Sequence, residues 1–219
     1  MLEELKAHVL ETARAAETMG LCRHKSGNFS ARDEATGLVC LTPSGLDRGR
    51  MTAADIVVID REARVVEAQP GLRPSSEALM HLAAYECRPD IRAVVHTHSR
   101  FALVFAVLRQ PVPAIVAEMA HLNLRRGEIP VAPFGQQGTP ALAESVKAPL
   151  QESDALLLAS HGALAVDAVS LAGALLKAAY LEEAAEVYYR ARLLAGGSAV
   201  PCLGADDLTL RYPEAVRRT

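Results

Sequence analysis

Ala93-Val94-Val95-His96-Thr97-His98 is the stretch whose reading decides the fold. Its β-branched lead-in reads as a strand. Side chains two apart on a strand point to one face, so His96 and His98 present two imidazoles side by side. Upstream stands Pro74-Ser75-Ser76-Glu77. Ser75 or Ser76 caps a helix that should run to about Arg88, where Pro89 forbids continuation. Glu77 then falls in the first helical turn, near the partial positive charge of the helix N-terminus. A carboxylate and two imidazoles on consecutive elements are the side chains a metal site needs.

Working outward, Leu2, Leu5, Val9, Ala13 and Ala16 share one face of an amphipathic helix over residues 2–19, with Gly20 as its stop. The segment from Arg23 to Arg32 is read through its turn signal, Gly27-Asn28. Strands are expected at Leu38–Thr42, Ile56–Asp60 and Arg64–Glu67. Beyond His98 come a short helix near Arg100–Leu108, a strand near Ala114–Val116 and another over Ile129–Ala132. Thr139 caps a helix with Pro140 at its first position, running to about Leu150. The apolar run within Asp154–Ser160 reads as a buried strand, and Ala163–Val166 continues the sheet. Ser170 caps a long helix to about Ala195, closed by Gly196-Gly197. Strands and helices mix without strict βαβ alternation. That implies an α/β fold with a central mixed β-sheet flanked by helices, not a dinucleotide-binding fold. The absence of G-x-G-x-x-G and of a Walker sequence agrees, and no nucleotide cofactor is indicated.

With 219 residues, 50% of them hydrophobic and 22% charged, the chain can bury a sizeable core. No linker or repeat divides it, so one domain over residues 1–219 is expected. A formal net charge of −3 gives no reason to expect nucleic acid or an anionic membrane as partner. No apolar run approaches the roughly 20 residues that span a bilayer. The N-terminus lacks the basic and apolar regions of a signal peptide. Cys22, Cys40, Cys87 and Cys202 are scattered, which suits reduced thiols and a cytoplasmic location.

A third imidazole, His161, closes the apolar run Ala155-Leu156-Leu157-Leu158-Ala159. Three neutral imidazoles with an open position suit catalytic zinc, although other divalent transition metals take the same donors. Each piece also has a plain structural reading. A His-X-His pair on an exposed strand is commonly without function, and a histidine after a strand is commonly a hydrogen-bonded structural residue. His24, His81 and His121 are given that reading; His81 lies one helical turn after Glu77, but nothing requires it there. Three further segments, Ser26-Gly27-Asn28, Thr42-Pro43-Ser44-Gly45 and Pro74-Ser75-Ser76, combine small polar side chains with turns that expose backbone N–H groups. Phosphate oxygens accept from such groups. Singly, each is equally an ordinary loop or cap. Lys25 and Arg32 are candidate charge partners for an anion.

Taken in order, Gly27-Asn28-Phe29-Ser30, Thr42-Pro43-Ser44-Gly45, Pro74-Ser75-Ser76-Glu77, Ala84-Tyr85 with Arg88-Pro89-Asp90, Val94-Val95-His96-Thr97-His98 and His161-Gly162 resemble the class II aldolase/adducin family. The resemblance covers most of residues 1–195. It implies a three-layer fold around a mixed sheet and a homotetramer with active sites at subunit interfaces. It also implies a zinc ion on His96, His98 and His161. Gly27, Asn28, Ser44, Gly45, Ser75 and Ser76 would hold the phosphate of a small phosphorylated sugar. Glu77 would be the acid/base, and a glutamate there favours an aldolase over an epimerase. The activity implied is cleavage of a ketose 1-phosphate to dihydroxyacetone phosphate and an aldehyde. An epimerase, dehydratase or decarboxylase on the same scaffold is the alternative, and a non-catalytic adducin-like module a remoter one. Where the aldolases carry a tyrosine, this chain has Ala117 beside Glu118. Glu118 is therefore either a replacement acid/base or an interface residue, and Tyr212 is a second source of a phenol.

Overall fold

The computed structural model describes residues 2–204 and 206–209; Tyr212 lies outside them. Helix α1 (Glu3–Thr18) leads into strands β1 (Asn28–Arg32), β2 (Val39–Leu41), β3 (Val57–Ile59) and β4 (Val65–Glu67). Helix α2 (Ala78–Cys87) precedes β5 (Ala93–Thr97), and α3 (Arg100–Leu108) follows it. Next come β6 (Val112–Pro113), β7 (Glu128–Ile129), β8 (Val131–Ala132), α4 (Pro140–Ser145) and α5 (Lys147–Glu152). Strands β9 (Ala155–Leu158) and β10 (Gly162–Asp167) and helix α6 (Leu171–Leu194) complete the described elements.

The main sheet has the order β4-β3-β2-β1-β5-β10-β9-β8. Its pairs are antiparallel except β8 with β9 at one edge, so the sheet is mixed as expected. Two cores lie on its two faces, and β5 shows why. Ala93 and Val95 enter one core with Val9 of α1, Phe105 of α3 and Leu181 of α6. Val94, pointing the other way, joins Met80 of α2, Leu142 of α4 and Leu150 of α5. Helices on both faces produce three layers. Leu181, fully buried, contributes roughly 1.5–3 kcal/mol by transfer alone. By the same alternation, His96 and His98 fall on the face that α2 covers.

Several expectations shift. The segment read through Gly27-Asn28 contains a full strand, β1, which pairs with β5 so that Asn28 stands opposite His96. Its alternation was masked because buried Asn28 and Ser30 occupy inward positions. No strand forms at Ala114–Val116; Val112–Pro113 pairs with Glu128–Ile129 instead. The Ile129–Ala132 run divides between β7 and β8 at Pro130, which has no N–H to give a ladder. The helix from Thr139 to Leu150 breaks at Val146 into α4 and α5. Pro149 has no N–H to return to the carbonyl of Ser145, so one helical ladder cannot run through. Ser170 caps α6 as read, its Oγ accepting from Gly173 N at 3.0 Å.

Two polar ties fix the layers. Asp154 accepts from Arg88 Nη1 at 2.9 Å and from Lys177 Nζ at 2.7 Å, and Lys177 also reaches Asp167 at 2.9 Å. This joins the end of α2 to the sheet and to α6. Glu182 of α6 accepts from the backbone N–H groups of Phe101 and Ala102, at 2.9 and 2.8 Å. It thereby caps α3 in place of Ser99, whose side chain makes no cap hydrogen bond.

Candidate active site

His96 is fully buried in β5, while His98 just beyond its end is half-buried. His96 Nδ1 lies 2.9 Å from the carbonyl oxygen of Ala163 on β10. That carbonyl can only accept, so Nδ1 donates to it and Nε2 is the ring atom turned toward the cluster. Nε2 of His96 and Nε2 of His98 are 3.0 Å apart. His161 arrives from the β9–β10 turn, where Ser160 takes a positive φ of 56° and lets the chain reverse sharply. Its ring centroid lies 4.8 Å from that of His96 and 5.1 Å from that of His98. One nitrogen from each of the three rings lies within 4.8 Å of the others.

Gly162 makes this convergence possible. A Cβ there would stand 2.3 Å from Thr97 O, 3.1 Å from His96 Cε1 and 3.4 Å from His98 Cδ2. Glycine therefore lets β10 close on β5 where the rings meet. Gly27 works similarly behind His96, with φ +78° and a Cβ position only 2.7 Å from His96 O.

Glu77 stands at the cap position of α2, one residue short of the first turn expected for it, and is 1% exposed. Its Oε2 lies 3.1 Å from His96 Nε2 and accepts from Asn28 Nδ2 at 2.7 Å. Oε1 lies 2.9 Å from His161 Nε2, off the line of a hydrogen bond. Among the described residues, Glu77 Oε1 and both ring nitrogens of His161 have no hydrogen-bond partner although they are buried. Burial opposes charge on Glu77, but the neighbouring His161 and His96 rings and the Asn28 amide outweigh it. The carboxyl is held well below the usual range. Burial, with the neighbouring His96 and His161 rings, depresses the His98 pKa to about 3, so its ring is neutral. Three imidazoles converging beside a carboxylate, with buried nitrogen and oxygen atoms left without hydrogen-bond partners, are a donor set that fits a divalent transition metal.

The phosphate-type segments converge on the same place. Thr42 N donates to Phe29 O and Phe29 N to Thr42 Oγ1, joining the first two segments. Ser75 N donates to Thr42 O, Ser44 N to Arg73 O, and Pro43 bridges Pro74, joining the third. Ser44, Gly45 and Ser76 are exposed, whereas Asn28 and Ser75 are buried. Asn28 commits its amide to Glu77 and His81. Arg32 turns to the carbonyls of Pro89 and Ile91, so it is a structural brace. Glu118 is exposed on the 3-10 turn Ala117–Leu122 and makes no hydrogen bond or ion pair with these groups.

The pattern of the class II aldolase and adducin N-terminal domain family matches residues 7–189. The chain belongs to that family. Its class II aldolase fold superposes on an L-fuculose 1-phosphate aldolase structure with a TM-score of 0.86, at 32% identity over 94% of this chain and 92% of that one. A 5-methylthioribulose-1-phosphate/5-deoxyribulose-1-phosphate aldolase of Escherichia coli O45:K1 is 35% identical, over 94% of this chain and 92% of its own length. A 5-deoxy-D-ribulose 1-phosphate aldolase of Bacillus thuringiensis is 31% identical over 97% of each. Among the described residues, no helix is long and apolar enough to cross a membrane.

Sequence reasoning missed two residues of this class II aldolase family site. Arg48, 4% exposed, donates to the carbonyls of His24, Ser26 and Gly27 and so braces the first phosphate-type loop. No local signal marks it. His81, read as ordinary, contacts Asn28 and Ser30; its one-turn spacing from Glu77 was the available signal. His121 instead stacks on Tyr180, 5.5 Å between centroids.

Proposed function

We propose that this chain is a metal-dependent sugar-phosphate aldolase that splits a ketose 1-phosphate into dihydroxyacetone phosphate and an aldehyde. The observation that carries this is the Glu77 carboxylate, buried against the His96 and His161 rings of the imidazole cluster, with Oε1 lacking a hydrogen bond among the described residues, beside the joined phosphate-type loops. The names of the relatives point to the same substrate class.

His96, His98 and His161 would hold the metal, with zinc the first choice. When bound, a divalent ion supplies Lewis-acid polarisation of a substrate carbonyl. Exposed Ser44, Gly45 and Ser76, with the backbone at Gly27 and Asn28 and buried Ser75, would bind the phosphate and orient the ketose. Cleavage breaks the bond between C3 and C4, and the electron pair remains with the C3 fragment. Glu77, ionised before substrate arrives, would take up a proton from solvent on Oε1 as substrate binds and deliver it to C3. In the reverse direction it would take that proton from C3 and return it to solvent. Opposite C4, the hydroxyl must lose its proton as the aldehyde forms. Glu118 is exposed and has no ion pair or hydrogen bond among the described residues, which supports its acting from a neighbouring copy in a homotetramer. The chain would work as one domain in the cytoplasm.

The test is product analysis with L-fuculose 1-phosphate and 5-methylthioribulose 1-phosphate, after chelation and after zinc is restored. Release of dihydroxyacetone phosphate that depends on metal supports the reading. Inversion at C4 or loss of water without carbon–carbon cleavage would assign the scaffold to a different reaction.

A further inference from the structure

One buried titratable group has no part in the reaction above. His81 is fully buried on α2 and lies one helical turn after Glu77. Both its ring nitrogens have partners. Nε2 is 2.5 Å from Asn28 Oδ1, and Nδ1 is 2.7 Å from Ser30 Oγ. Ser30 Oγ in turn lies 2.9 Å from the Tyr85 hydroxyl. Asn28 completes the line by donating Nδ2–H to Glu77 Oε2.

The direction of every proton in this line follows from the charge at its end. An ionised carboxylate only accepts. Asn28 must therefore turn its NH2 toward Glu77 and its Oδ1 toward His81. An amide oxygen also only accepts, so His81 carries its proton on Nε2. Burial and the nearby His96 hold the ring neutral, with a pKa near 3. Nδ1 then has a lone pair, which the Ser30 hydroxyl fills as donor. With its proton so used, Ser30 Oγ accepts from the Tyr85 hydroxyl at 2.9 Å, in preference to the longer 3.4 Å contact of that hydroxyl with Arg92 O. Each member is buried, so an arrangement that leaves one of them unpartnered is disfavoured. The alternative arrangement would point Asn28 Oδ1 at the carboxylate, oxygen to oxygen.

We propose that His81 is a positioning residue: through the Asn28 amide it holds Glu77 by Oε2 and reserves Oε1 for the proton that moves in the reaction. This rests on the reading of Glu77 as proton carrier. Without the His81 N–H, the Asn28 amide loses its fixed sense and Glu77 can rotate. A displacement of about 1 Å at a reacting group costs on the order of 10²-fold in rate.

Two variants separate positioning from packing. In His81→Gln, the side-chain amide can place an N–H where Nε2–H stands. In His81→Asn, the shorter amide reaches Ser30 but not Asn28. Steady-state kinetics on the metal-loaded protein with a cleaved ketose 1-phosphate should show kcat down about 10²-fold in His81→Asn, with KM within about threefold. His81→Gln should recover most of that loss, and both variants should keep the wild-type metal content. Independently of activity, side-chain 15N NMR of the unmutated protein should show His81 as the neutral Nε2–H tautomer. An Nδ1–H tautomer overturns the proposal. So does an unchanged kcat in His81→Asn, a loss confined to KM, or equal losses in the two variants. If the unmutated chain cleaves no ketose phosphate, the aldolase reading falls by itself, and the tautomer still decides whether the line is ordered as stated. If cleavage occurs but Glu77→Gln retains it, the role of Glu77 is wrong and His81 has nothing to position.

Discussion

Replacing Gly162 by alanine tests whether close approach of β10 to β5 builds the imidazole cluster. The new Cβ would stand 2.3 Å from Thr97 O, a backbone atom held in the sheet by the Ala163–Thr97 pairing. Ordinary contact begins near 3.4 Å, so the strands must part by about 1 Å. Overpacking of this kind costs about 1–3 kcal/mol. For a chain of this size each kcal/mol lowers Tm by about 2–4 °C, so a central cost of about 2 kcal/mol predicts a fall of about 4–8 °C. The same movement shifts His96 and His98 relative to His161. Metal–nitrogen distances tolerate only about 0.2 Å, and metal affinity should drop about 10–100-fold. Gly37→Ala is the control. Its φ of +72° imposes a backbone penalty of about 1–2 kcal/mol, but a Cβ there meets nothing within 4 Å. Thermal scans and equilibrium dialysis against zinc should show both variants less stable and only Gly162→Ala deficient in metal. Wild-type Tm and metal retention in Gly162→Ala would refute the argument that this contact sets the site.

Glu77→Gln should keep fold and metal but lose about 10²–10⁴-fold in kcat; near-normal turnover would move the proton transfer to another group, Glu118 first. His98→Ala should lose bound metal together with activity, whereas full metal occupancy would remove His98 from the ligand set. Asp154→Asn leaves Arg88 and Lys177 without their shared carboxylate and should destabilise by about 3–5 kcal/mol in urea unfolding. A change below about 1 kcal/mol would show that Asp167 and solvent suffice for Lys177. Burial raises the Glu182 pKa against the opposing backbone N–H donors of Ala102 and Phe101. The folded chain therefore binds this proton more tightly than the unfolded one, and stability falls as pH rises from the ordinary glutamate range through the raised value. Glu182→Gln should flatten that slope in unfolding curves collected across the window, and an unchanged slope would place the titration elsewhere.

The imidazole pair was legible because a strand has period two: Val94, His96 and His98 had to share a face once Ala93–His98 was extended. The long helix after Ser170 was legible for equally local reasons, a hydroxyl cap before it and glycines after it. Pro89 marked where the helix before the pair stops, but that helix begins at Glu77 without the cap expected from Ser75 or Ser76. β1 was not, because inward Asn28 and Ser30 break the apolar alternation that identifies a strand. Those polar residues face inward because they hydrogen-bond Glu77 and His81, so a buried polar network hid the element.

By itself, the sequence determined that two imidazoles lie on one face, that a carboxylate begins the preceding helix, and that small polar turns suited to phosphate accompany them. Tertiary structure decided the rest. It brought His161 from a distant hairpin turn through the space that Gly162 leaves open. It folded the turns at Gly27, Ser44 and Ser75 into one joined wall, and it set Asn28 between Glu77 and His81. The physical reason is range. Caps, turns and strand alternation are fixed by neighbouring residues, while a site assembled from β1, α2, β5 and the β9–β10 turn depends on sheet order and on how closely backbones can approach.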